Sequence, residues 1–157
     1  MNHLQNVKFV NVIPPGVVVD NAAYTSTVVD TAGFDSVAFV VSTGFTDIAL
    51  AALKVQESDA ITDSVTLSSG SDVTGLVWGT STNPDTGSTS SLPSATDDNK
   101  VFVAYVDTRA RKRYLQLQAT AGNGTTGTYL SAAAILGKAG NGPYNAATRG
   151  AGSNLIA

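Results

Sequence analysis

Four of the nine basic residues of this chain, Arg109, Arg111, Lys112 and Arg113, fall within five positions. A cluster this dense could meet an acidic protein surface or a phosphate backbone. The plain alternative is a solvated turn whose charge aids solubility. Arg111 and Arg113 alternate with Lys112, which would send positive charge to both faces of a strand. A nucleic-acid footprint instead interleaves basic residues with stacking aromatics. Asp97, Asp98 and Asn99 bring three oxygen-bearing side chains together, a donor type that suits calcium. They lack the EF-hand spacing, and a turn leading into Lys100 explains them more simply. Glu57 and Asp59 sit at alternate positions and would share a strand face, as a pair doing acid/base work would need. No aromatic-lined cleft can be inferred around them, and a polar strand end accounts for both.

Other chemistries are excluded by composition. There is no Cys, so no disulfide scaffold, thiolate metal site or cysteine nucleophile exists. The single His, His3, would have to carry any triad or histidine metal site alone. No catalytic constellation assembles, and no cofactor or metal is expected. No unbroken apolar run exceeds the length of Ile48 to Leu53, far short of the ~20 residues of a membrane span. The N-terminus lacks a basic segment followed by an apolar stretch, so no secretory signal is expected. The net charge of −3 does not indicate general nucleic-acid binding.

What must position the candidate residues is a β architecture. The acidic side is 11 Asp against one Glu, and Asp favours turns where Glu favours helices. Val and Thr, both strand formers, number 18 and 19. Period-two patterns predict strands over 7–13, 17–20, 24–30, 34–43, 64–67, 73–78, 100–107, 112–120 and 128–136. Residues 46–58 read either way. Asp47 could cap a helix, but Leu53, Val55 and Glu57 alternate as in a half-buried strand. The strands at 100–107 and 112–120 flank a four-residue connection and read as a hairpin with the basic cluster at its tip. In the second, Leu115, Leu117 and Ala119 share one face, and Tyr114, Gln116 and Gln118 share the other. The expected fold is an all-β antiparallel sandwich of about eight strands, jelly-roll or immunoglobulin-like. It spans 1–136, with a long polar loop at 80–99 and an extended Gly-rich C-terminal tail at 137–157.

The tail carries a second set of candidate contact residues. Leu155 and Ile156 follow a Gly-rich stretch, an arrangement that suits a tether docking on another subunit, helped by Tyr144 and Arg149. Fully burying two such side chains contributes roughly 3–6 kcal/mol before ordering costs. Trp78, the only Trp, is expected in the core or at a sheet edge.

Three stretches together resemble a family of small structural proteins from tailed-bacteriophage head-gene clusters and prophages. They are DTAGFDSVAFVVSTGFTD at 30–47, LKVQESDAITDS at 53–64, and DDNKVFVAYVDTRARKRYLQLQATAGNGTTGTYLSAAAILGKAGNGP at 97–143. The similar features are the Asp-Thr-x-Gly-aromatic turn at Asp30 to Phe34 and, for a Lys-x-x-Glu-Ser-x-Asp segment, the one-residue-shorter Lys-Val-Gln-Glu-Ser-Asp of Lys54 to Asp59. They continue with the Lys-Arg-Tyr of Lys112 to Tyr114, the Thr-rich turn Gly124 to Thr128, and the Ala-rich strand Ala132 to Gly137. The continuation Lys138 to Pro143 and the length of the loop at 80–98 depart from that pattern. The resemblance implies a head decoration, or cement, protein on the capsid exterior of a virion assembled in the bacterial host cytoplasm. It further implies the major capsid protein as partner and a homo-oligomer, with a trimer favoured. Other readings are a carbohydrate-binding or receptor-binding β-sandwich module, and another virion component such as a tail or neck protein.

Overall fold

The structure is a computed structural model that describes residues 6–16, 18–140 and 150–152. Among these, eleven strands and one 3-10 turn form, with no α-helix. The core comes from strict alternation. Strand β4 (Phe34–Thr46) turns Val37, Phe39 and Val41 inward, all fully buried. Leu53 and Val55 of β5 (Ala52–Ser58) face them, with Leu115, Leu117 and Ala119 of β10 (Tyr114–Thr120). Leu130, Ala132, Ala134 and Leu136 of β11 (Thr128–Ala139) complete the interior.

Two antiparallel sheets enclose this core. One runs β1 (Lys8–Ile13), β11, β4, β9 (Val101–Asp107), with the short β2 (Val18–Val19) also paired to β11. The other runs β3 (Val29–Asp30), β10, β5, β8 (Ser71–Val77). A separate hairpin joins β6 (Ala60–Asp63) to β7 (Thr66–Ser68). With β2 and the hairpin set aside, the pairing is nested. The first strand pairs the last, the second the seventh, the third the sixth and the fourth the fifth. That order is the jelly roll, which decides between the two sandwich types expected.

The structure departs from the sequence reading at several points. Residues 100–107 and 112–120 do not form a hairpin. β9 pairs with β4 in one sheet, and β10 pairs with β5 and β3 in the other. The 3-10 turn Thr108–Ala110 carries the chain across, held by the buried Thr108 hydroxyl donating to the Phe34 carbonyl. The physical reason is that Phe102, Ala104 and Val106 must face Leu115, Leu117 and Ala119 through the core, not lie beside them. Residues 46–58, which read either way, follow the alternation of Leu53, Val55 and Glu57, and Ala52–Ser58 is strand β5. Asp47 caps nothing helical; its Oδ2 accepts from the backbone N–H of Thr125 (2.6 Å), Thr126 (2.6 Å) and Gly127 (3.3 Å). β11 runs through the expected domain boundary at 136 to Ala139, because Gly137 and Ala139 continue the ladder on Ser36 and Phe34.

The expected strand at 24–30 is regular only at Val29–Asp30. Its first part detours. Tyr24 N–H bonds the Ala119 carbonyl on one sheet, and Thr27 N–H bonds the Val12 carbonyl on the other, each at 2.9 Å. The Tyr24 hydroxyl donates to the Thr128 carbonyl, and burial pushes its pKa up to about 12. This segment therefore stitches one lateral side of the sandwich shut.

The Asp47 contacts set a pH dependence. Three N–H donors hold its carboxyl below the usual carboxylate range, with the bonds from Thr126 and Thr125 the leading cause. A depressed folded-state pKa contributes stability that is present above the unfolded pKa and lost as pH falls through the folded one. Asp47→Asn is expected to lower the thermal midpoint at neutral pH. Its deficit against the parent should shrink as pH drops below about 4. Thermal unfolding followed from neutral to strongly acidic pH checks both statements.

Candidate functional site

The basic cluster lies on the arch between the sheets, and its charges are largely matched. Arg109 bonds Asp107 through both its backbone and its guanidinium, which holds the Asp107 carboxyl well below the usual range. Arg113 forms a two-point bond with Asp30 at 2.9 and 2.7 Å and lies 5.0 Å from the Tyr114 ring centre. That bond lowers the Asp30 pKa and raises that of Arg113. Arg111 reaches Glu57 at 3.5 Å, and the other Glu57 oxygen accepts the Lys112 N–H at 3.2 Å. Each arginine thus has an acidic neighbour, so the cluster is not the strongly positive surface its spacing suggests. Most of these pairs are solvent-exposed and add little to stability.

The acidic candidates serve the same kind of purpose. Glu57 pairs in register with the buried Leu115 and secures the arch, while Asp59 is exposed. Asp97 accepts from Ser94 and Lys100, and Asp98 accepts the Thr46 N–H at 2.8 Å. The Asp97 bonds close the turn at the end of the long loop, and the Asp98 bond fastens it to β4. Among the described residues no group of three or more acidic or histidine side chains gathers to hold a metal ion. No helix among them is long and apolar enough to cross a membrane. Tyr144, Arg149, Leu155 and Ile156 lie outside the described residues. Gly150, within the tail, is placed hard against β1, where a Cβ would stand 2.1 Å from the Phe9 carbonyl oxygen.

The site that sequence reasoning missed is the opposite lateral side, between β8 and β9. Val101, Val103 and Tyr105 of β9 are 59%, 56% and 61% exposed, while Phe102, Ala104 and Val106 turn inward. Six consecutive apolar residues, 101–106, were the available signal: a strand apolar on both faces yet at a sheet edge. Beside it runs a groove of about 670 Å³, with Leu76, Trp78, Phe102 and Ala104 among its walls and Asn83 and Asp85 at its rim. The long loop forms that rim. It is ordered by Ser81, whose N–H and hydroxyl bond Val77 and whose carbonyl takes two bonds from Ser90.

The two edges flanking the groove differ. β8 breaks its ladder: between the pairs Lys54–Val77 and Gln56–Asp72 it advances five residues for two on β5. Gly75, at φ +88°, sits in that bulge, where its missing Cβ permits the turn. β9 pairs without interruption from Val101 to Asp107 and has no bulge or proline. Bulges protect an edge from further pairing, and β9 lacks that protection.

The chain matches no protein-family model, no curated protein and no solved structure. Its function must therefore be argued from this surface.

Proposed function

We propose that this chain is a non-enzymatic structural protein of a tailed-bacteriophage virion, a head decoration or cement protein. It binds the outer surface of the assembled capsid and bridges subunits of the major capsid protein, with a trimer as its preferred oligomer. One observation carries the reading. Among the described residues, a tightly stitched jelly roll leaves an apolar stripe and an unguarded edge bare on one side. Soluble monomers rarely expose such surface without a partner to cover it. A stiff body with several contact segments suits bridging, because linked contacts gain through effective concentration. The resemblance of residues 30–47, 53–64 and 97–143 to phage head proteins points the same way.

The test is the position of this chain in an electron-microscopy map of purified particles. Density on the head exterior is the expected result. Density only at the tail or neck moves it to another virion role, and absence from particles overturns the reading.

A second reading draws on the groove. Trp78 and Tyr105 beside Asn83 and Asp85 offer ring faces and polar groups together, as a carbohydrate-binding module needs. Quenching of Trp78 fluorescence by oligosaccharides would favour it.

A further inference from the structure

An antiparallel ladder alternates residues whose backbone groups turn to the neighbouring strand with residues whose groups turn away. The Thr43 N–H donates to the Lys100 carbonyl at 3.0 Å, in register with the pairs that join β4 to β9. Phe102, Ala104 and Val106 therefore turn their backbone groups to β4. Val101, Val103 and Tyr105 turn theirs outward, and among the described residues no strand pairs with that side. The same three residues carry the exposed side chains of the strand.

This edge is complementary to itself. Laid antiparallel on a second β9 about a two-fold axis at Val103, it sets Val103 opposite Val103 and Val101 opposite Tyr105. Every residue in those pairs turns its backbone outward, so each pair exchanges two main-chain bonds. The side chains meet as β-branched against β-branched and β-branched against aromatic, and the latter pairing is favourable across strands. On the other face Phe102 falls opposite Ala104, large against small. A slip of two residues either way leaves Tyr105 opposite Asn99 or Val101 opposite Asp107. Residues 101–106 carry no charge, so no like charges meet along the pair. Lys100 and Asp107 flank them, and the antiparallel arrangement brings the Lys100 end of one copy to the Asp107 end of the other. A strand of unrelated sequence would take the main-chain bonds without these matches.

We infer that β9 pairs with β9 of a second copy of this chain, antiparallel about a two-fold axis at Val103, and so joins two sheets into one. The contact is isologous and closes at two copies. It leaves other surfaces free for the trimer proposed above, and it does not rest on the head-decoration reading.

The experiment weighs the purified chain by sedimentation equilibrium, without particles. Val103→Lys sets two like charges face to face on the axis, and Val103→Glu does the same with the opposite sign. Val103 is exposed, so both variants should keep the parent's circular dichroism. Each is expected at half the parent's mass where the parent is assembled. Mixed, the two should recover the parent's mass and associate roughly tenfold or more tighter than either alone, because Lys then meets Glu. Val103→Pro removes an outward N–H that β4 does not use, and it too should halve the mass. Equal masses for the parent and Val103→Lys, a monomeric parent included, overturn the inference. So does a mixture that stays at half mass. If the parent is monomeric and the amides of Val101, Val103 and Tyr105 resist exchange at every concentration, another part of the same chain covers the edge. None of these outcomes depends on whether the chain decorates a head.

Discussion

Phe39→Ala is expected to cost about 3–5 kcal/mol of folding stability, the range for removing a fully buried ring. Phe39 has no exposed surface and stands mid-strand in β4. Its register partners are Ala134 on β11 and Ala104 on β9. The ring fills the interior above two small neighbours, which is how a chain rich in alanine reaches native packing density. Alanine at 39 would set three alanines in a row across the sheet, with nothing long enough to close the space. Single domains have only about 5–15 kcal/mol in hand, so this one change removes a large share. Denaturant unfolding should show a lowered midpoint at unchanged slope. Phe39→Leu, which keeps most of the volume, should cost much less. A loss below about 1 kcal/mol for alanine would mean that the sheets close over the gap.

Gln116→Leu is expected to cost about 2–4 kcal/mol, although the side chain leaves the hydrophobic interior untouched. Gln116 lies on the outer face of β10 and is 3% exposed. Its amide donates to the carbonyls of Ser26 (3.0 Å) and Val65 (2.7 Å), and its oxygen accepts from Gln118 at 2.8 Å. One side chain therefore ties the detour at 24–28 and the β6–β7 hairpin to the sheet. Leucine matches its size but donates nothing, leaving shielded carbonyls unpaired. Beyond the change in midpoint, hydrogen exchange should quicken in 60–68 and 24–28 while β4 and β11 stay protected. Uniform quickening throughout the chain would mean that the clamp is not local.

Much of this fold was legible because alternation survives in isolation. Val37, Phe39 and Val41 declare an inward row, as do Leu115, Leu117 and Ala119, and no competing period obscures them. The hairpin at 100–120 was misread because local sequence cannot distinguish a turn within a sheet from an arch between sheets. Thr108 to Arg111 suits both, and the decision lies in which rows must meet across the core. The alternation that correctly buried Leu115 sets Gln116 on the opposite face and carries no signal of what covers that face. The burial of Gln116 depends on a lid formed some fifty residues earlier, at Val65. The arginine cluster looked strongly basic because Asp30 and Glu57, which answer Arg113 and Arg111, are remote in sequence. The open side at β9 is not legible locally, because an apolar run such as Val101 to Val106 looks the same whether one face or both are covered.

The nested pairing has a consequence in time. Among the described residues β1 pairs with no strand but β11, and their register joins Lys8 to Leu136. A ribosome adding roughly 5–20 residues per second needs on the order of 6–25 s to make the intervening chain. Throughout that interval Val12 and Ile13, buried at the finish, have no ladder to join. Sheets closed by such distant contacts fold in milliseconds to seconds once complete. For this chain, synthesis rather than the folding barrier sets how long the first strand waits.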